Sequence, residues 1–400
     1  MKATPADPAT APAAGSAATH VFDHDPASLA DRFAAWGLRS FRAKQVLDWV
    51  YRRGEVSLDA MTNLSRADRE TLRGRLVIER GEAVRHQLAT DGTQKLLLAW
   101  DGLGAEPPAA AAPAASDASD ADARPRTECV MIPADSKASG KARRTGCISS
   151  QVGCPVGCRF CASGMNGLEG NLTAGQIVEQ AWRLGRLDGQ RLTNVVFMGM
   201  GEPLANFAAV AAALRALTAD WGLGLSARKI TVSTVGVPSG IRRLAAIDLP
   251  VTLAVSLHAP NDDIRRRIIP WAQFVSIDRL IAAGRDYFDA TGREVTLEYI
   301  LLGGVNDRVE HARELADVAK QLRSNVNLIR YNEVAGIGYQ RPATEDVRRF
   351  RDTLANRGVN VHLRASRGRD IAAACGQLRR QDASARAARP VALRTPAAAS

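Results

Sequence analysis

The sequence predicts an α/β protein: a mostly parallel sheet with helices outside it, preceded by a smaller, largely helical region. Three observations predict it. From Gly146 to about Arg364, short apolar runs rich in β-branched residues alternate with amphipathic helical stretches. Upstream, two helix-like patterns and one hairpin-like pattern stand apart from this alternation. Polar residues (Glu202, Ser233, His258, Asn332) close the apolar runs, as at the functional end of a barrel or of an open doubly wound sheet.

In chain order, residues 1 to about 20 are Ala/Pro/Thr-rich and are expected to be a disordered tail. Residues 21–103 read as an accessory domain. Within it, RAKQVLDWVYRRG carries Val46, Leu47, Val50 and Tyr51 at helical spacing and ends at Gly54. NLSRADRETLRGRL predicts a second helix with Ser65 as N-cap. AVRHQLATDGTQKLLLAW reads as two strands joined at Asp91-Gly92. Residues 104–125 are Ala/Pro/Asp-rich and read as a low-complexity insertion within one sheet, because RTECVMIP beyond it is again a strand pattern. Residues 126–380 hold the repeated units: strands at TNVVFM, RKITVST, PVTLAVSL, EVTLEYILL, NVNLIRY and VNVHLR, with helices such as AGQIVEQAWRL and RVEHARELADVAKQLR between them. Residues 381–400 are a second expected disordered tail.

With 46% hydrophobic and 24% charged residues, the chain has the composition of a globular protein with a real core. No stretch approaches the roughly 18 apolar residues of a membrane helix, and the N-terminus lacks the basic start and apolar run of a secretory signal. A cytoplasmic protein without membrane contact is expected. The formal charge of +11 favours a polyanionic partner.

Four of the six cysteines (Cys147, Cys154, Cys158, Cys161) crowd into one short segment, with Cys129 upstream and Cys375 far away. In a cytosolic chain such crowding points to metal or redox chemistry. The spacing of Cys154, Cys158 and Cys161, C-x3-C-x2-C, suits three thiolates on one face of a 4Fe–4S cluster, leaving the fourth iron open. Structural zinc is the alternative. It needs four closed ligands, for which Cys147 or His258 would have to complete the set.

That loop, with Phe160 before the last cysteine and GMGEP one βα unit later, resembles the radical S-adenosylmethionine (SAM) superfamily. The resemblance implies a partial (β/α)6 barrel, and an open iron that binds the amino and carboxylate groups of SAM. RAKQVLDWVYRRG, MTNLS, CISSQVGCPVGCRFC, FMGMGEPLAN, ITVSTVG, SLHAP, GGVND, VNLIRYN and RGRDIAAACGQLR together resemble the RlmN-type RNA adenine C2-methyltransferases, from about residue 28 to residue 380. Members modify an adenine in the peptidyl-transferase loop of 23S rRNA, and some also an adenine beside the tRNA anticodon. The sister Cfr family methylates carbon 8 of the same ribosomal adenine.

The resemblance further implies two SAM molecules per turnover. Cys375 takes a methyl group from one. The second, cleaved at the cluster, yields the radical that removes a hydrogen from that methyl, and the methylene bonds to the adenine. Glu128 takes the ring proton, and Cys147 resolves the adduct, leaving a Cys147–Cys375 disulfide. SAM contacts carried over are Gly201, Glu202, Ser233, Ser256, Leu257, His258 and Asn332. RNA is expected at Lys44, Arg52 and Arg53 of the accessory domain and at Lys137, Lys141, Arg143 and Arg144. An electron donor such as flavodoxin or ferredoxin is implied, and a monomer is expected. Cys129 is expected to be structural, its side chain facing away from Glu128. Two competing readings are a radical SAM enzyme acting on a non-RNA substrate and a non-catalytic, zinc-stabilised RNA-binding protein.

Overall fold

The computed structural model describes residues 18–104, 124–135 and 142–378. The tails 1–17 and 379–400, most of the low-complexity stretch (105–123), and Lys137 and Lys141 lie outside the described residues.

The strands are β1 (Thr19–His20), β2 (Leu76–Val77), β3 (Gly81–Leu88), β4 (Gln94–Trp100), β5 (Arg126–Asp135), β6 (Ala142–Cys147), β7 (Gln151–Gly153), β8 (Leu168–Asn171), β9 (Asn194–Phe197), β10 (Ile230–Thr234), β11 (Thr252–Ser256), β12 (Val295–Leu301), β13 (Ser324–Arg330) and β14 (Val361–Arg364). Ten of them form one sheet in the order β14-β13-β12-β11-β10-β9-β6-β5-β4-β3. From β6 to β14 the neighbours run parallel. The β5–β6, β4–β5 and β3–β4 pairs are antiparallel. The sheet is therefore a partial βα barrel, β6 and β9–β13, extended by β14 on one side and by a three-stranded antiparallel ribbon on the other. β4 and β5, which flank the stretch 104–125 in sequence, are adjacent antiparallel partners in this sheet.

Parallel strands covered on both faces need apolar residues throughout, and every residue of β12 is buried. The expected helices form where their caps demand. Ser65 Oγ accepts from Asp68 N (3.1 Å) at the start of helix Arg66–Leu72. Thr173 Oγ1 accepts from Gln176 N (3.1 Å), opening helix Ala174–Leu184. The RAKQVLDWVYRR helix runs as Arg42–Asp48 and finishes in a π-turn, Trp49–Arg53, which Gly54 ends at φ +68°.

The N-terminal helices pack Phe22, Leu29, Phe33 and Val46 into the same apolar core as Ile177 and Trp182 of the barrel helix. The terminal order begins earlier than expected, because Thr19–His20 pairs with Leu76–Val77. A buried ionic cluster fastens this junction. His20 Nε2 lies 3.0 Å from Glu179 Oε2, and Glu179 also accepts from Arg183 Nε (2.7 Å) and Gly81 N (3.0 Å). Burial alone would lower His20, but its bonds to Asp23 and Glu179 outweigh this and hold its pKa above the usual 6.5. Burial would raise Glu179 and Asp23, yet their pairing with His20 leaves both lowered. The histidine contribution is complete below pH 6.5 and fades as pH rises through the raised folded value. The carboxylate contribution is complete above their ordinary range and fades as pH falls through the depressed values. Thermal melting is therefore expected to peak between about pH 5 and 6.5 from this cluster. His20→Gln should lose the alkaline slope and cost on the order of 2 kcal/mol.

Candidate active site

The C-terminal ends of the parallel strands open on a cavity of about 150 Å³. Cys154, Cys158 and Cys161 form one wall, and Gly201, Glu202, Ser233, Ser256, His258 and Cys375 also line it. The cysteine loop leaves β7 and is pinned at its start by Cys154 N donating to Gly167 O (2.8 Å). Gly157 takes φ +66° inside it, a left-handed turn that a side chain would strain. Burial pushes the Cys154 thiol up to about 12, and burial together with the two neighbouring thiols raises Cys158 further. Three crowded, desolvated thiols become thiolates together only around a strongly cationic centre. Among the described residues no three His, Cys, Asp or Glu side chains close on a single metal ion. A cubane instead takes each thiolate at a separate iron, so this donor set fits a 4Fe–4S cluster.

Opposite stands the GMGEP turn. A Cβ on Gly201 (φ +99°) would lie 2.6 Å from Gln151 Cβ, so the backbone approach requires glycine. Glu202 is buried, its Oε1 accepting from Leu204 N (3.0 Å) and its Oε2 from Val235 N (2.7 Å). Burial pushes it up to about 7. Ser233 and Ser256, ending β10 and β11, bring their hydroxyls to 3.3 Å. His258 adopts φ +57°, and its Nδ1 accepts from Ile300 N (3.1 Å). With burial and Arg265 pushing its pKa down to about 3, the ring is neutral. Its proton therefore sits on Nε2.

Two of the residues expected to contact SAM do not line this cavity. The Leu257 side chain is fully buried in the main core, leaving only its backbone near the site. Asn332 is not on the cavity wall. Its Nδ2 donates to Cys375 O (3.5 Å), and its Oδ1 accepts from Arg341 (3.2 Å), so it braces the cysteine segment. The three proposed reaction residues gather on one flank. Cys147 ends β6, and its thiol sits in an apolar cluster with Val130, Met200, Ala373 and Leu378. Burial, then the neighbouring Cys375, push its pKa up to about 12 while Arg364 opposes them. Glu128 is 1% exposed and pairs with Lys95 Nζ at 2.8 Å. Cys129 faces the other way, into the main core.

Sequence reasoning missed three cations. Arg364 lines the cavity, 3.3 Å from Glu298 Oε2, and the cysteine pair and Glu298 outweigh burial to raise its pKa. Arg265 is fully buried and donates to Val235 O (2.6 Å), Val275 O (3.1 Å) and Leu257 O (3.2 Å). Lys95 is the third. Of the expected RNA contacts, Lys44, Arg52, Arg53 and Arg143 are exposed. Arg144 is not available: it is buried and bound to Asp188 at 2.7 Å.

The sequence profile of the radical SAM superfamily matches residues 148–316, and that of the ribosomal RNA large subunit methyltransferase N-terminal domain matches residues 19–78. The chain is 45% identical over 351 residues to a probable dual-specificity RNA methyltransferase RlmN from Gloeobacter violaceus, covering 88% of this chain and 92% of that one. The chain belongs to the RlmN family. An RlmN relative from Rhodopirellula baltica is 40% identical over 368 residues, 92% of each chain. The crystal structure of a radical SAM methyltransferase from Sphaerobacter thermophilus superposes with TM-score 0.80 at 42% identity, over 90% of this chain and 98% of the other. As a radical SAM protein of the RlmN family, it works with a 4Fe–4S cluster and SAM.

Proposed function

We propose that this RlmN-family chain methylates carbon 2 of an adenine in RNA, in the peptidyl-transferase loop of 23S rRNA and beside the tRNA anticodon. Cys375 carries the methyl group. The observation behind this reading is that Cys375, from the far end of the chain, lines the same cavity as the cluster loop, with Cys147 close by. The relatives' name, dual-specificity RNA methyltransferase, supports an RNA substrate and more than one target.

Cys154, Cys158 and Cys161 would hold the cluster, and Glu202 with Ser233, Ser256 and His258 would hold SAM. When bound, these groups supply a methyl donor and a hydrogen-abstracting radical. The chain's own residues do the rest. The Cys375 sulfur accepts the methyl group and, once a hydrogen is gone, presents a methylene carbon to adenine C2. Radical addition leaves one unpaired electron on the ring, which the cluster, when bound, would take back, and Glu128 accepts the ring proton. The Cys147 sulfur then attacks the Cys375 sulfur: an S–S bond forms, the S–CH2 bond breaks, and its electron pair leaves with carbon, which a proton turns into methyl. An electron donor of the flavodoxin or ferredoxin class would supply the electron that SAM cleavage needs, and the disulfide takes two electrons and two protons from a cellular reductant to return to thiols. Lys44, Arg52, Arg53 and Arg143 neutralise RNA phosphates, and the target base leaves its stack to reach the cavity.

Mass spectrometry of nucleosides from rRNA and tRNA treated with the reconstituted enzyme tests the reading. Appearance of 2-methyladenosine is expected. Formation of 8-methyladenosine would mean Cfr-type chemistry, and cleavage of SAM with unmodified RNA would mean a different substrate.

A further inference from the structure

We infer that Lys95 is the positioning residue for the proton-accepting carboxylate of Glu128, holding it charged and fixed against the segment that carries Cys375. This rests on the reading of Glu128 given above.

In the antiparallel pairing of β4 with β5, Leu97 faces Glu128 and Lys95 faces Val130, and Val130 in turn faces Cys147 across β5–β6. Strand alternation turns Lys95, Glu128, Val130 and Cys147 to one face of the sheet. Their chain neighbours Leu96, Leu98, Cys129 and Met131 point into the main core. Lys95 and Glu128 are thus diagonal cross-strand neighbours, close enough for a direct pair. The ammonium lies 2.8 Å from Glu128 Oε1 and donates to Ala372 O at 3.1 Å. Both side chains are 1% exposed. Ala372 stands three residues before Cys375 and adopts φ +50°, a left-handed conformation that costs a residue with a Cβ.

A buried ion pair seldom stabilises more than apolar residues of the same size would. Stability alone therefore does not account for a fully buried lysine at the head of the apolar run of β4. A carboxylate this far from water stays charged only beside a cation. Lysine's point charge also leaves donors free for a carbonyl. One ammonium thus spans the proton acceptor and a backbone carbonyl of the segment that leads into Cys375. In the step it serves, the adduct has already given its one unpaired electron back to the cluster; the adenine C2–H bond breaks, the proton passes to a Glu128 oxygen, and the C–H electron pair stays in the ring. A neutral residue at position 95 would leave an acceptor already protonated or displaced.

The test uses full-length holoenzyme in single turnover, with RNA carrying either hydrogen or deuterium at C2 of the target adenine. Lys95→Met removes the charge. Lys95→Gln also removes it but keeps a donor for Ala372 O, so it serves if the methionine variant folds poorly. Both are expected to retain S-methylated Cys375 by protein mass, and to release methylated RNA at least about tenfold more slowly. A primary isotope effect absent from the wild type should appear, and Lys95→Arg should recover most of the rate. Wild-type release by the neutral variants overturns the inference. So does slow release without an isotope effect, or loss of the S-methyl group, since either means Lys95 only braces the fold. Glu128→Gln separates the two readings. If it releases RNA normally, the proton-acceptor reading fails and takes this inference with it; if it is blocked while the Lys95 variants are not, only the role of Lys95 fails.

Discussion

Cys147→Ala is expected to leave the enzyme covalently joined to its RNA. In the proposed sequence, the Cys375 sulfur holds the methylene carbon bound to adenine, and only attack on that sulfur frees the product. Cys147 is the thiol proposed for the attack. It ends β6, packs with Ala373 and Leu378 of the Cys375 segment, and lies within electrostatic reach of Cys375. Burial pushes its pKa up to about 12, which keeps it a quiet thiol in the resting state. Arg364 opposes that rise and is the cation beside which a thiolate could form when the step comes. Alanine keeps the cluster apolar and leaves only a gap the size of one sulfur. Folding and Cys375 methylation should survive, while turnover falls by about a hundredfold or more. A denaturing gel after incubation with SAM, reductant and RNA should show a retarded protein–RNA band. Normal release of methylated RNA without that band would rule out a resolving role.

Cys375→Ala is expected to abolish methylation while leaving the cluster in place. Cys375 lines the cavity but comes from the far end of the chain, outside the C-x3-C-x2-C set. Iron content and the cluster's absorption should match the wild type. The side chain is small and only partly buried, so stability should change by no more than about 1 kcal/mol. Methyl transfer to RNA should fall by on the order of a thousandfold or more, because no other thiol reaches the same wall from outside the cluster loop. Protein mass spectrometry should also lose its S-methyl signal. Substantial turnover by this variant would mean that the methyl group never passes through this thiol.

What the sequence discloses follows from how local each feature is. The strands NVVF, ITVST and TLAVS, and the helix Ala174–Leu184 with its Thr173 cap, form where their patterns fall. Each is set by periodicity and capping within its own segment. The cluster loop and the GMGEP turn were legible for the same reason: their chemistry lies in consecutive residues. Arg144 was misread because a basic run looks alike whether it faces RNA or a buried Asp188. Asn332 and Leu257 lie in the right motifs, but which atoms face the cavity depends on packing that no spacing encodes. Lys95, Arg265 and Arg364 pair with residues remote in sequence, and only the fold brings those partners together. Nothing in the segment QKLLLAW marks Lys95 as buried, since it stands at the polar head of the apolar run.

Arg265 has a mechanical consequence for the mouth of the barrel. Its guanidinium ties carbonyls from the turn after β10, the turn after β11 and the approach to the helix Ile277–Thr291. Opening any one of these connections leaves a buried guanidinium short of one acceptor, a penalty that couples it to the other two. The three connections therefore behave as one cooperative foldon and not as independent loops. Ligand contact at Ser233 or His258 should slow amide exchange across all three together. Whatever binds at this mouth is met by a surface that yields as a whole or not at all.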